Sequence, residues 1–100
     1  MGHKIIWSPA AREDLKNLVS FIGQNNPIKA EEFGLSVLEQ VEQASIFPES
    51  GRIVPEFEID TLRELILAPY RIVYRINHKA KVIDVSRVWH SKRGKPRLER

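Results

Sequence analysis

Arg71 and Arg75 stand in Tyr70-Arg71-Ile72-Val73-Tyr74-Arg75-Ile76, a run that alternates at period 2. On a strand this puts Tyr70, Ile72, Tyr74 and Ile76 on one face and both arginines, with Val73, on the other. A guanidinium is costly to bury unpaired, so the arginine face reads as solvated and suited to an anionic partner. The plainer alternative is a half-exposed strand with solubilising charges. A second cationic group closes the chain: Lys92, Arg93, Lys95, Arg97 and Arg100, with no periodic apolar pattern among them. Residues 91–100 therefore read as a flexible basic tail, either merely solvated or contacting an acidic target or the DNA it holds. His3 and His78 lack paired-ligand spacing and there is no cysteine, so neither a metal site nor a cofactor is expected.

Composition bounds what those residues can serve. At 42% hydrophobic and 29% charged over 100 residues, the chain is expected to be one globular domain spanning 1–100. No apolar run approaches the ~18 residues of a membrane span, and three apolar residues after Lys4 make no secretory signal. Absence of cysteine fits a reducing cytoplasm, so a cytoplasmic protein without a membrane partner is expected. The net charge of +3 conceals segregation: residues 1–50 carry four Lys/Arg against seven Asp/Glu, residues 51–100 twelve against six. A basic half joined to an acidic half points to nucleic acid or an acidic protein patch as a partner.

The elements that must position these charges follow from pattern. His3 to Trp7 reads as a short strand. Ser8-Pro9 opens a helix, serine as cap and proline at the first position, with Glu13 and Asp14 suited to its positive end. Ala11, Leu15, Leu18, Val19 and Ile22 give that helix its core stripe. Asn26-Pro27 repeats the device for a second helix to about Ile46, with Ala30, Phe33, Val37, Leu38, Val41 and Ala44 inward and Gly34 permitting close approach. The short link predicts an antiparallel helical hairpin. Phe47-Pro48-Glu49-Ser50-Gly51 terminates it. Leu62–Ala68, Tyr70–Ile76 and Val82–His90 then read as strands, the last two joined through Asn77-His78-Lys79-Ala80. Alternation from Ile83 and Val85 places Trp89 in the core with them. The fold class is α+β, β-α-α-β-β-β, with the hairpin on one face of a small, mostly antiparallel sheet.

Ser8-Pro9-Ala10-Ala11-Arg12-Glu13-Asp14-Leu15, Phe47-Pro48-Glu49-Ser50-Gly51-Arg52, Arg63-Glu64-Leu65, Tyr70-Arg71-Ile72-Val73-Tyr74 and Arg87-Val88-Trp89-His90 occur in that order. As a set, these segments resemble the RelE/ParE superfamily of toxins from type II toxin–antitoxin modules. The resemblance implies a small basic toxin neutralised by a cognate antitoxin, with a possible toxin–antitoxin hetero-oligomer. RelE-like members cut messenger RNA in the ribosomal A site, whereas ParE-like members are associated with poisoning DNA gyrase.

The two branches ask for different residues. Metal-free RNA cleavage needs a base for the 2′-hydroxyl, cations for the phosphate and an acid for the leaving oxygen. The resemblance assigns Arg71 to the phosphate. Where RelE-like enzymes carry two lysines, this chain has Arg63 and Glu64, and arginine is a poor base. Arg93 follows the last strand, but no tyrosine follows it. A YoeB-like pattern of glutamate, arginine and late histidine is offered by Glu56, Arg71 and His90, with His90 one position out of simple register. Arg63 and Glu64 point to opposite faces, so each should bond a neighbouring strand rather than the other.

The ParE-like branch is therefore the expectation: a toxin that inhibits DNA gyrase by binding, with no catalytic residues favoured. The alternatives are a ribosome-dependent mRNA endonuclease using Glu56, Arg71, His90 and Arg93, and a non-toxic degenerate binding module. Arg63, Arg71, Arg75, Arg87, His90, Lys92 and Arg93 are expected at the target surface. Ile5, Trp7, Leu15, Leu18, Phe33 and Val37 are expected at the antitoxin surface, where a groove lies beside an open sheet edge.

Overall fold

The computed structural model describes residues 2–98. Strand β1 (Lys4–Trp7) runs into helix α1 (Pro9–Asn25), which one residue separates from α2 (Pro27–Ile46). Both helix starts form as the sequence predicts. Ser8 Oγ accepts the Ala11 N–H at 3.0 Å and Asn26 Oδ1 accepts the Lys29 N–H at 3.0 Å, each ahead of a proline that has no donor to lose. Glu13 and Asp14 fall beyond the first turn, and Asp14 is used elsewhere.

Four strands follow: β2 (Arg52–Ile53), β3 (Leu62–Leu67), β4 (Tyr70–Asn77) and β5 (Val82–His90). The sheet order is β1-β5-β4-β3-β2, antiparallel throughout except that β1 lies parallel to β5. Two-residue β2 is too short to show periodicity, and the sequence reading does not include it.

The helices cover one face. Ala11, Val37, Val41 and Ala44 meet Ile72, Tyr74, Ile83 and Val85 in the main core. Leu38, expected inward, is 49% exposed, because Val37 and Val41 already occupy the inward side of α2. Gly34 is no requirement for close approach, since a Cβ there would meet Val19 Cγ2 at an ordinary 3.7 Å.

The other face also carries cover. Val54, Leu62 and Val73 form a second core, joined by Phe57 and Leu98. Residues 91–98 are docked rather than frayed. A 3₁₀ turn (Ser91–Arg93) leads to Gly94, whose carbonyl accepts the Trp89 indole N–H at 3.1 Å, then to buried Pro96 and to Leu98. Single apolar residues without helical or strand period carry this packing, so periodicity does not reveal it. Arg100 of the basic segment lies outside the described residues.

A β-bulge sets which side chains share a face. Val73 pairs with Arg87 and Tyr74 with Val85, leaving Ser86 extra on β5. The insertion reverses parity: Val88 and His90 join the helix-covered face, while Arg87 and Trp89 turn to the far face. Trp89 is buried as expected (2% exposed), but on the opposite side of the sheet from Ile83 and Val85.

Candidate functional site

The far face beneath the second core is built on Arg71, which is not solvated as alternation suggests. Its side chain is 8% exposed and its fork is fully engaged. Nε donates to Glu64 Oε1 at 2.6 Å, Nη1 to Glu56 Oε2 at 2.9 Å and Nη2 to Glu56 Oε1 at 2.6 Å. Glu64, wholly buried, also accepts from Arg52 Nε at 2.6 Å. Two carboxylates thus neutralise the arginine that burial would otherwise penalise. The Glu56 hydrogen bond raises the Arg71 pKa well above its ordinary value, with Glu64 adding to the effect against burial. The same bond holds the Glu56 carboxyl below the usual range. An incoming phosphate would have to displace Glu56 to reach this guanidinium.

His90 is not part of that cluster. The bulge sends it to the helix-covered face, where its ring meets Tyr70 edge-on at 5.2 Å and Nδ1 accepts the Lys92 N–H at 3.0 Å. Tyr70 in turn packs on Phe33 at 5.0 Å. Glu56 and Arg71 are therefore together, and His90 and Arg71 are on opposite sides of the sheet. Their separation follows from one extra residue at Ser86.

Arg63 and Glu64 bond other segments, as opposite pointing requires. Arg63 Nε donates to the Asp60 carbonyl at 2.7 Å, Nη2 to Asp60 Oδ1 at 3.0 Å and Nη1 to the Gly51 carbonyl at 3.0 Å. The arginine thereby ties two loops together. Tyr74 supports the same corner: its hydroxyl donates to the Pro48 carbonyl at 2.6 Å and accepts the Gly51 N–H at 3.1 Å. Burial pushes its pKa up.

The exposed cations gather at the end of β5. Arg87 grips Asp14 through two bonds of 2.8 Å, and Asp14 Oδ2 also accepts the Val88 N–H at 3.0 Å. That carboxylate covers the part of β5 that β1 does not reach. Arg87 and Arg93 stand 4.8 and 4.3 Å from the Trp89 ring centroid, an arrangement that stacks charge on an aromatic platform. Lys92 and Arg93 remain exposed beside it, and Lys95 lies over Phe57 at 4.6 Å. Arg75 sits apart, half-buried near β1.

Of the residues expected at the antitoxin surface, Val37 is wholly buried and Ile5, Trp7, Leu15 and Phe33 pack partly against the main core. Leu18 is half-buried beside Asp14 and His90. The apolar surface of the hairpin is instead formed by Phe21, Ile28, Leu35, Leu38 and Ile46, each about half or more exposed. Spacing of seven between Ile28 and Leu35, and three to Leu38, carried that signal. Among the described residues no cluster of His, Cys, Asp or Glu could hold a metal ion. No helix there is long and apolar enough to cross a membrane.

Residues 5–94 match the model of the ParE toxin of type II toxin–antitoxin systems, parDE. The toxin RelE2 of Caulobacter vibrioides is 29% identical over 91 residues, which is 90% of this chain and 97% of that protein. Among solved structures, the chromosomal ParDE system of P. aeruginosa contains a chain with a TM-score of 0.71 and 23% identity, over 88% of this chain and 95% of that one. The RelBE2 toxin–antitoxin complex of Mycobacterium tuberculosis gives 0.67 and 22%, over 90% and 99%. The two structures share the fold described above.

Proposed function

The chain belongs to the ParE toxin family of type II toxin–antitoxin systems, and we propose that it acts by binding a protein target, DNA gyrase, rather than by cutting RNA. One observation carries this reading. The guanidinium that a nuclease would aim at the scissile phosphate is closed by Glu56 and Glu64, and His90 lies on the other face of the sheet. Acid–base catalysis requires its groups within hydrogen-bond reach of one substrate. Here they address opposite sides.

Lys92, Arg93 and Arg87 around Trp89 are the surface we assign to the target, an aromatic anchor ringed by cations. The antitoxin is assigned to the hairpin, where a partner helix would cover Leu35 and Leu38. Its binding should show a large negative heat-capacity change, as coupled folding does.

The test is inhibition of gyrase supercoiling by the purified chain. Inhibition is expected, weakened about tenfold or more by the double substitution Lys92→Glu, Arg93→Glu. Unimpaired supercoiling at excess toxin, with A-site codon cuts on programmed ribosomes, would reverse the assignment.

A further inference from the structure

Where the second core and residues 91–98 stop, the far face is open. Across it one row runs over four strands. Ile6 pairs with Asp84, Asp84 with Arg75, and Arg75 with Leu62. The row has two unlike ends. Ile6 is 43% exposed beside a depression of about 340 Å³ that Arg75, Asp84, Ser8 and Ser86 also border. Leu62 lies beneath the raised loop carrying Val54 and Phe57.

Between the ends lies an acid beside a base that do not bond each other. Asp84 Oδ1 is buried with no hydrogen-bond partner, and among the described residues the Arg75 guanidinium has neither an ion pair nor a hydrogen bond. Burial raises the Asp84 pKa, with Arg75 only partly opposing it. A buried carboxylate oxygen without a donor is costly.

We propose that this row is the contact between two copies of the chain, related by a two-fold axis running along the strands between Asp84 and Arg75. An in-plane axis there turns the sheet face down and exchanges the two positions. Asp84 of each copy then faces Arg75 of the other, and one contact is made twice, as an isologous interface requires. The same rotation sets the raised loop above Leu62 over the depression at Ile6, so both ends of the row are complementary in shape. Ile59, 44% exposed in that loop, supplies an apolar residue opposite Ile6. An arginine is long enough to enter the depression and give Asp84 Oδ1 its donor. A molecule of 42 × 31 × 21 Å has room for the ~800 Å² per partner of a standard interface.

Sedimentation equilibrium of the purified chain tests this without any other component. The wild-type mass should climb with concentration from 11.6 kDa toward twice that value. Arg75→Asp gives copies with two acids in the row, and Asp84→Arg gives copies with two bases. Each alone should stay monomeric, its dissociation constant raised about 100-fold or more by two repulsive contacts. Mixed in equal amounts, the two variants should associate, because each acid now meets a base. Circular dichroism checks that both are folded. If either fails to fold, Ile6→Glu at an exposed position should abolish association by itself. A wild type that stays monomeric, single variants that associate like wild type, folded variants that do not associate when mixed, or an unaffected Ile6→Glu protein would each overturn the proposal.

Discussion

Removing Glu64 tests whether the Arg71 cluster is a structural lock. Its side chain is 0% exposed and that of Arg71 8%, with 2.6 Å between Nε and Oε1. Breaking a buried pair by deleting one partner costs about 3–5 kcal/mol, because the other charge is left in low dielectric. Here Glu56 still holds both Nη atoms of Arg71, so Glu64→Leu should cost about 3 kcal/mol, the lower end of that range. Arg71→Met should cost a similar amount, since it strands Glu64 with only the exposed Arg52. Combining them removes both buried charges, and apolar replacement of such a pair is often close to neutral. The double variant should therefore be no less stable than either single one, although additivity would demand about 6 kcal/mol. Urea unfolding reads this directly: with a slope near 1.5 kcal/mol/M, each single variant lowers the midpoint by about 2 M. Single costs below about 1 kcal/mol, or a double cost equal to their sum, would refute the lock.

Gly51→Ala should destabilise by about 1–3 kcal/mol in thermal unfolding, because a Cβ there would stand 2.5 Å from the Tyr74 hydroxyl and 2.7 Å from the Glu64 carbonyl. Glu56 titrates below its ordinary value in the folded chain, so the unfolded state binds its proton first as pH falls. Its stabilising contribution is full above about pH 4.5, the model value, and is lost as pH falls through the folded value. Glu56→Gln should flatten that acid limb in urea titrations at several pH values. Deleting residues 92–100 should lower the melting temperature as well as toxicity, since Gly94 accepts from Trp89 and Leu98 fills the second core. An unchanged melting temperature would mean that this docking contributes nothing.

The helices were legible because caps and prolines act locally: Ser8-Pro9 and Asn26-Pro27 each satisfy one helix end whatever surrounds them. Strands β3, β4 and β5 were legible from period 2. What alternation could not carry is the bulge at Ser86, for an inserted residue leaves the composition of a strand unchanged while reversing its later faces. Trp89 and His90 were both displaced by that single step. Arg71 was read as solvated because the carboxylates that bury it come from Glu64 on β3 and from Glu56 fifteen residues upstream, in a loop without periodicity. Long-range ion pairs of this kind leave no local trace. The separation of Arg63 from Glu64 was legible, since adjacent strand residues must diverge.

Pulse labelling of cells after induction of the toxin tests the central claim most directly. If the chain binds gyrase and cuts no RNA, thymidine incorporation falls first and the DNA-damage response is switched on while methionine incorporation continues. An immediate fall in methionine incorporation, with messenger RNA cut inside codons and the cuts lost in His90→Gln, would contradict it.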